Sequence, residues 1–200
     1  MRETLRILRG EHFALLSLLQ TMLLLLAEAR GRGVAPDFRA LQAILFYIDE
    51  FPEKRHHRRE SALFFPKLRA RTPLSRALLD HLDEDHARGE HRVRELAQAL
   101  TAFELLGESR RDAFEQAAAR YVDFYRTHMA LEEREIFPLA ERVLTPADWD
   151  ELDAATARDA DPLAGGAPDE EYRALFARIL DLVPAPFGMG EPEARPPTPR

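Results

Sequence analysis

"HHRRESALFFP" at residues 56–66 and "HMALEEREIFP" at residues 128–138 decide how this chain is read. In each, a glutamate follows the leading histidine by four residues, and a Phe-Pro pair falls nine and ten residues after it. Positions i and i+4 lie on one face of a helix with Cβ atoms about 5–6 Å apart, so an imidazole and a carboxylate there can converge on one small volume. The pattern extends upstream. His12 stands 44 residues before His56, and His86 stands 42 residues before His128, so the chain reads as two copies of one helical hairpin.

The hydrophobic periodicity supports that division. Leu5, Leu8, His12, Leu15, Leu19, Met22 and Leu26 recur at steps of three and four, which marks an amphipathic helix with His12 on its apolar face. Gly31, Gly33 and Pro36 close it and open a second helix over about residues 37–69, with Leu41, Leu45, Ile48, His56 and Glu60 inward and Pro52 bending the axis. A third helix follows Thr72-Pro73 and carries Leu78, Leu82, His86, Gly89, Val93, Leu96 and Leu100. A fourth starts beyond Gly107 with Phe114, Ala118, Tyr121, Tyr125, His128, Glu132, Ile136 and Leu139 inward. The expected fold is all-α, an antiparallel up-down-up-down four-helix bundle over residues 1–145 with a C-terminal helical extension over 146–183. In the extension, Thr145 and Pro146 read as the cap and first residue of a short helix that Trp149 docks on the bundle, and a last amphipathic helix spans about 169–182. Residues 184–200 are Pro-rich and read as an extended tail.

Composition narrows the chemistry. The 200 residues include no cysteine, which excludes disulfides, thiolate metal sites and cysteine nucleophiles and leaves His, Asp and Glu as the strong ligands. A formal charge of −7 without a concentrated basic face argues against nucleic acid as a partner. "KRHHRRE" at 54–60 is short and accompanied by Glu50, Glu53 and Glu60, so it reads as a solvated helix face. The apolar run in the first helix is too short and too interrupted for a membrane span or a signal peptide, and a cytoplasmic protein is the expectation.

Four histidines and two glutamates on the inner faces of four helices bring nitrogens and carboxylates into one apolar core. A lone carboxylate there is costly, whereas two divalent metals bridged by both carboxylates and capped by the histidines satisfy every group. The i,i+4 spacing alone is weak, because His81/Asp85, His86/Glu90 and His91/Glu95 share it as ordinary surface pairs. The shared Phe-Pro ending and the matched upstream histidine separate His56/Glu60 and His128/Glu132 from those.

The "EH" at 11–12, "FPEKRHHRRESALFFPKL" at 51–68, "DEDHARGEH" at 83–91 and "HMALEEREIFPLAERVLT" at 128–145 resemble the bacterial hemerythrin-like HHE cation-binding family. The resemblance covers about residues 1–145, and "DPLAGG" and "PAPFGMG" resemble a subgroup with a C-terminal extension. It implies a non-haem di-iron centre held by His12, His56, Glu60, His86, His128 and Glu132, with the two glutamates bridging. Two places depart from the family's pattern. Oxygen-carrying hemerythrins resemble this plan with a His-x-x-x-His pair on the third helix, whereas here the histidines fall at 81, 86 and 91, a step that turns His81 and His91 off the face of His86. The family also often has a second glutamate after the first motif's, and here that place is Ser61, while Glu133 keeps it in the second copy.

His57, next to His56, is turned away from it around the helix and reads as an exposed or supporting group rather than a ligand. Tyr47, Tyr121, Tyr125 and Gly89 read as packing, with Tyr121 also placed to donate a hydrogen bond towards the site. The expected function is a non-haem di-iron protein that binds or senses oxygen, nitric oxide or iron, more a binding protein than an enzyme, with manganese or zinc able to use the same ligands. A catalyst acting on peroxide or nitric oxide, or supplying iron for cluster repair, is the alternative, and a metal-dependent interaction module with an unknown protein partner is the third reading.

Overall fold

The first helix, Glu3–Arg32, stops at Gly33, whose φ of 65° is the left-handed conformation that closes a helix without a Cβ penalty. Asp37 starts the next one, its carboxylate accepting a hydrogen bond from the Ala40 N–H at 3.0 Å. The structure, a computed structural model, describes residues 2–158, 161–164 and 170–182, and among these the regular structure is helical throughout. The second helix runs over residues 38–71, the third over Arg76–Leu106 and the fourth over residues 111–143. The first packs along the fourth, the fourth against the third, the third against the second, and the second against the first, which closes a four-helix bundle.

Its interior is two apolar cores with a polar layer between. One core contains Leu15, Leu19, Met22, Leu41, Ile48, Val93, Leu100, Phe114 and Tyr121. The other contains Leu5, Leu8, Phe64, Leu68, Leu79, Leu82, Ile136 and Trp149. Each helix carries residues of both cores, with His12, His56 and Glu60, His86, or His128 and Glu132 at the junction between them in sequence. The buried apolar stripes are therefore what hold the polar groups at one level.

Residues beyond 145 pack on this frame. Pro146–Arg158 is an α-helix laid on the first helix, with Trp149 buried beside Phe64 and Asp153 accepting hydrogen bonds from the Thr4 N–H and hydroxyl at 2.7 and 2.5 Å. Pro162–Ala164 also meets the first helix, and Arg173–Leu182 packs Phe176 and Ile179 against the start of the second. The expected tail at 184–200 lies outside the described residues. By length and composition the first helix could cross a membrane, but half of its most apolar window is buried inside the bundle, as in a core helix.

Thr145 caps the fifth helix as its sequence suggests. Its hydroxyl accepts from the Asp148 N–H at 3.2 Å, while the Asp148 carboxylate accepts from the Thr145 N–H at 2.9 Å and from the Arg71 guanidinium at 2.7 Å. Arg71 first, and then Thr145, hold the Asp148 carboxyl well below the usual aspartate range. Thr145→Ala is expected to cost ~1 kcal/mol in urea unfolding at neutral pH. Because the folded-state pKa of Asp148 is depressed, its contribution is present above the ordinary aspartate value near ~4 and is lost as pH falls through the lower folded value.

Candidate metal centre

Proline explains the local shape of the motif. Pro52, Pro66 and Pro138 each remove a backbone N–H and push against the carbonyl four residues earlier, and the helix answers by widening. Residues Asp49–His56, Glu60–Phe64 and Glu132–Ile136 are π-helical, the first containing Pro52 and the other two ending just before Phe65-Pro66 and Phe137-Pro138. Glu60 and Glu132 are the first residues of their wide turns, a distortion that recurs at functional sites.

The four helices bring all six expected residues together. His12, His56, Glu60 and Glu132 offer ligand atoms within 4.8 Å of one another, and so do Glu60, His86, His128 and Glu132. Both glutamates belong to both groups and both are fully buried. His12 Nε2 lies 3.2 Å from Glu132, His56 Nε2 3.2 Å from Glu60, His86 Nε2 3.5 Å from Glu60, and His128 Nε2 3.5 Å from Glu132. These approaches do not amount to hydrogen bonds for most of the atoms. Among the described residues, His12 Nε2, His86 Nε2, His128 Nε2 and all four carboxylate oxygens of Glu60 and Glu132 have no hydrogen-bond partner. Each such buried group ordinarily costs about 1–3 kcal/mol, and here they point at one another across one space. The donor set therefore fits a pair of divalent cations.

A second set of groups stands at the outer faces of the imidazoles in both halves, hydrogen-bonded to Nδ1 of His12, His56 and His86 and set back from that of His128, which has no hydrogen-bond partner among the described residues. The residue before each upstream histidine serves the downstream one: Glu11 accepts from His56 Nδ1 at 2.7 Å, and Asp85 stands 3.6 Å from His128 Nδ1. The residue after each motif glutamate serves the upstream histidine of the neighbouring helix. Glu133 accepts from His12 Nδ1 at 3.0 Å, and Ser61 accepts from His86 Nδ1 at 2.9 Å while donating to Asp83 at 2.5 Å. The Phe of each Phe-Pro pair stacks on that same histidine, Phe137 on His12 with centroids 5.6 Å apart and Phe65 on His86 at the same distance. An Nδ1–H engaged in this way leaves Nε2 as the free lone pair that a metal requires.

Charge within the cluster is shared between acids and imidazoles. Burial opposes charging His56, but Glu60 and Glu11 lift its pKa to about 10. Burial likewise opposes charging His12 and His128, and is outweighed by Glu132 and Glu133 at the first and by Glu132 and Asp85 at the second. Burial pushes Glu60 up, yet His56 and His86 hold it well below the usual range. A cation entering this space would take the place of those protons.

His57 corrects the sequence reading. It is not exposed: it is 3% accessible, and its Nδ1 lies 3.1 Å from Glu53. Because the helix is widened on both sides of His57, the turn between successive side chains is smaller than in a regular α-helix, and His57 falls inside the bundle. Burial, together with His86, His56 and His128, keeps its pKa well below the ordinary value. The basic stretch is corrected in part too, since Arg59 is buried with its guanidinium on Glu11, although Arg58 stays at the surface. His81 and His91 remain at the surface, His91 beside the exposed Glu95 and His81 reaching the buried Asp85.

Glu53 joins His57 to two tyrosines. Tyr121 donates to its carboxylate at 2.7 Å and Tyr125 donates to the same oxygen, while burial raises the Glu53 pKa to about 7. Gly89 makes room for them, because a Cβ there would fall 2.0 Å from Tyr125 Oη and 2.8 Å from Glu53 Oε2. Gly→Ala inside a helix is ordinarily favourable by up to ~1 kcal/mol. Gly89→Ala is expected to reverse that sign and lose about 1–3 kcal/mol in a urea melt. The neighbours' signals were present in the sequence as "EH" at 11–12, "DH" at 85–86 and the i,i+4 pair Glu53/His57.

Comparison with curated proteins and with solved structures finds no match to this chain. The family model described as the hemerythrin HHE cation binding domain matches residues 3–140, which contain all six clustered His and Glu residues, and the chain belongs to that family.

Proposed function

We propose that this protein holds two iron ions between its four helices and binds a diatomic ligand, oxygen or nitric oxide, at that centre. The observation that carries this is the pair of four-residue groups sharing Glu60 and Glu132, most of whose inward atoms have no hydrogen-bond partner among the described residues. His12 and His56 would hold one ion, His86 and His128 the other, and the two glutamates both. Imidazole with carboxylate suits iron, and manganese or zinc can occupy the same donors. Iron would supply a Lewis-acidic, redox-capable position, while this chain's residues orient the imidazoles and keep bulk water out. A cleft of about 10 Å³, about one water-sized molecule, is bordered by His12, His56, His57, Met129 and Asp161 and suits the approach of a diatomic ligand. An up-down-up-down course of the helices belongs to this reading, supported by the reversal, from one helix to the next, of the order in which the two cores are met.

A catalyst acting on peroxide or nitric oxide is the second reading, supported by the string of proton-carrying groups from Tyr121 and Tyr125 through Glu53 to His57. Protein purified without oxygen and loaded with ferrous iron is expected to retain about two irons per chain after desalting, as a two-metal site requires. Reversible spectral change with nitric oxide or oxygen then supports the binding role, and sustained consumption of peroxide or nitric oxide the catalytic one. Failure to retain metal would overturn both.

A further inference from the structure

The two halves of the centre correspond position by position in the groups that surround the cluster, although Ser61 stands opposite Glu133 and Glu11 opposite Asp85. His56 and His128 correspond, as do Glu60 and Glu132, and Phe65 and Phe137. The residue after each motif histidine does not. It is His57 in the second helix and Met129 in the fourth. Both are buried, so the difference lies inside the site and not on its surface.

His57 forms a group of its own with His86 and His128, their ligand atoms lying within 4.8 Å of one another. Its ring is stacked on His86 with centroids 4.2 Å apart and planes 10° apart, and meets His128 edge-on at 5.6 Å. It shares no such group with His12 and His56, nor with Glu60 and Glu132, so its contact with the centre runs through His86 and His128. On the widened second helix, His56 and His57 therefore straddle Glu60, one turned to each half of the centre. Glu53 holds the Nδ1 of His57 as Glu11 holds that of His56, the arrangement that frees the other nitrogen for a metal. Met129 and His57 both border the small cleft beside His12 and His56, so His57 lies between that cleft and the His86 and His128 side.

We propose that His57 is a fifth histidine of the centre, ligating the divalent cation held by His86 and His128, so that the two cations have unequal ligand sets. The assignment rests on the cation pair proposed above. The cation of His86 and His128 then has three imidazoles and the shared carboxylates, and that of His12 and His56 has two imidazoles, the shared carboxylates and the cleft beside Met129. The small-molecule position accordingly falls on the His12 and His56 side.

The test reads ring nitrogens directly. The chain has seven histidines, and long-range proton–nitrogen spectra of the imidazole-labelled full chain can be followed as zinc is added, with His57→Gln assigning its signal. Displacement of one ring nitrogen in each of His12, His56, His57, His86 and His128, with two zinc ions bound, is the expected result. His57→Gln should also weaken the second zinc by roughly tenfold or more while the first stays near its parental affinity. Two zinc ions bound with the His57 nitrogens unmoved would overturn the assignment and leave the cation pair standing. No bound zinc and no displaced histidine would overturn the pair and this assignment with it. The wild-type spectrum decides the question even where the variant folds poorly.

Discussion

Glu132→Gln is expected to remove almost all metal-dependent stabilisation while the metal-free variant melts within a few degrees of the parent. Glu132 is completely buried, belongs to both four-residue groups, and makes no hydrogen bond with either carboxylate oxygen among the described residues. Such a group contributes little to the metal-free fold, because its desolvation offsets the attraction of nearby imidazoles. Its value lies in the cations. A ligand present at a thousand times its Kd stabilises a protein by about 4 kcal/mol, and for a chain of this size each kcal/mol moves Tm by roughly 2–4 °C. Wild type with ferrous iron in that excess should therefore melt roughly 10 °C higher than without it, and Glu132→Gln should show a small fraction of that shift. Glu60→Gln should behave alike, since Glu60 occupies the same shared place. Differential scanning calorimetry of both proteins with and without iron checks this. An undiminished shift in either variant would mean that the carboxylates are not shared between two ions.

The crossed result matters because the alternative structural role makes the opposite prediction. If Glu60 and Glu132 served to neutralise the buried imidazoles, their loss would destabilise the metal-free protein and leave iron without effect. The geometry already weighs against that role. His12 Nε2 and Glu132 lie 3.2 Å apart, yet neither counts the other as a hydrogen-bond partner.

Most of this arrangement is legible in the sequence. Helix boundaries followed from Gly33, Asp37, Gly107 and Thr145 because each acts through local backbone chemistry that the residue type announces. The six clustered residues followed from two spacings, i,i+4 within a helix and a matched upstream histidine, which survive because the amphipathic stripes fix which face is inward. The burial of His57 escapes the sequence for the same reason that the inward place of His56 is legible in it. A step of one residue turns a side chain by about 100° in a regular α-helix, and nothing in a 3.6-residue pattern announces a π turn. The prolines were the signal, since Pro52 and Pro66 bracket His57, but proline predicts a disturbed helix without saying how it is disturbed. Ser61 was read as a departure from the family pattern, and its hydroxyl accepts from His86 Nδ1 as the Glu133 carboxylate does from His12. The link between Asp161 and Glu11 spans 150 positions, and no local pattern carries it.

That link gives the second large effect. Glu11 is a buried hub: one carboxylate oxygen accepts from His56 Nδ1 at 2.7 Å and from the Arg59 guanidinium, and the other from the Asp161 N–H at 3.1 Å. Burial raises its pKa, but His56 and Arg59 pull it below the usual glutamate value, so it is charged at neutral pH. Glu11→Gln keeps the shape and removes the charge. Hydrogen bonds to charged groups contribute about 1.5–3 kcal/mol each, and a loss of about 3 kcal/mol in urea unfolding is expected. Loss of a carboxylate that orients a metal-binding histidine typically costs 10–100-fold in affinity, and it should fall here on the ion held by His12 and His56. Asp85→Asn is the matched control in the other half. Its carboxylate stands 3.6 Å from His128 Nδ1, beyond a hydrogen bond, so a loss of less than about tenfold, on the other ion, is expected. Competitive titration with a chelator, read as two successive affinities, separates the two variants. Equal weakening of both ions by Glu11→Gln would show that the outer carboxylates tune the centre as a whole and that the two halves do not act separately. Selective weakening, together with faster hydrogen exchange at the Asp161 amide, would show that the segment around Asp161 is tied through Glu11 to the His56 side of the centre.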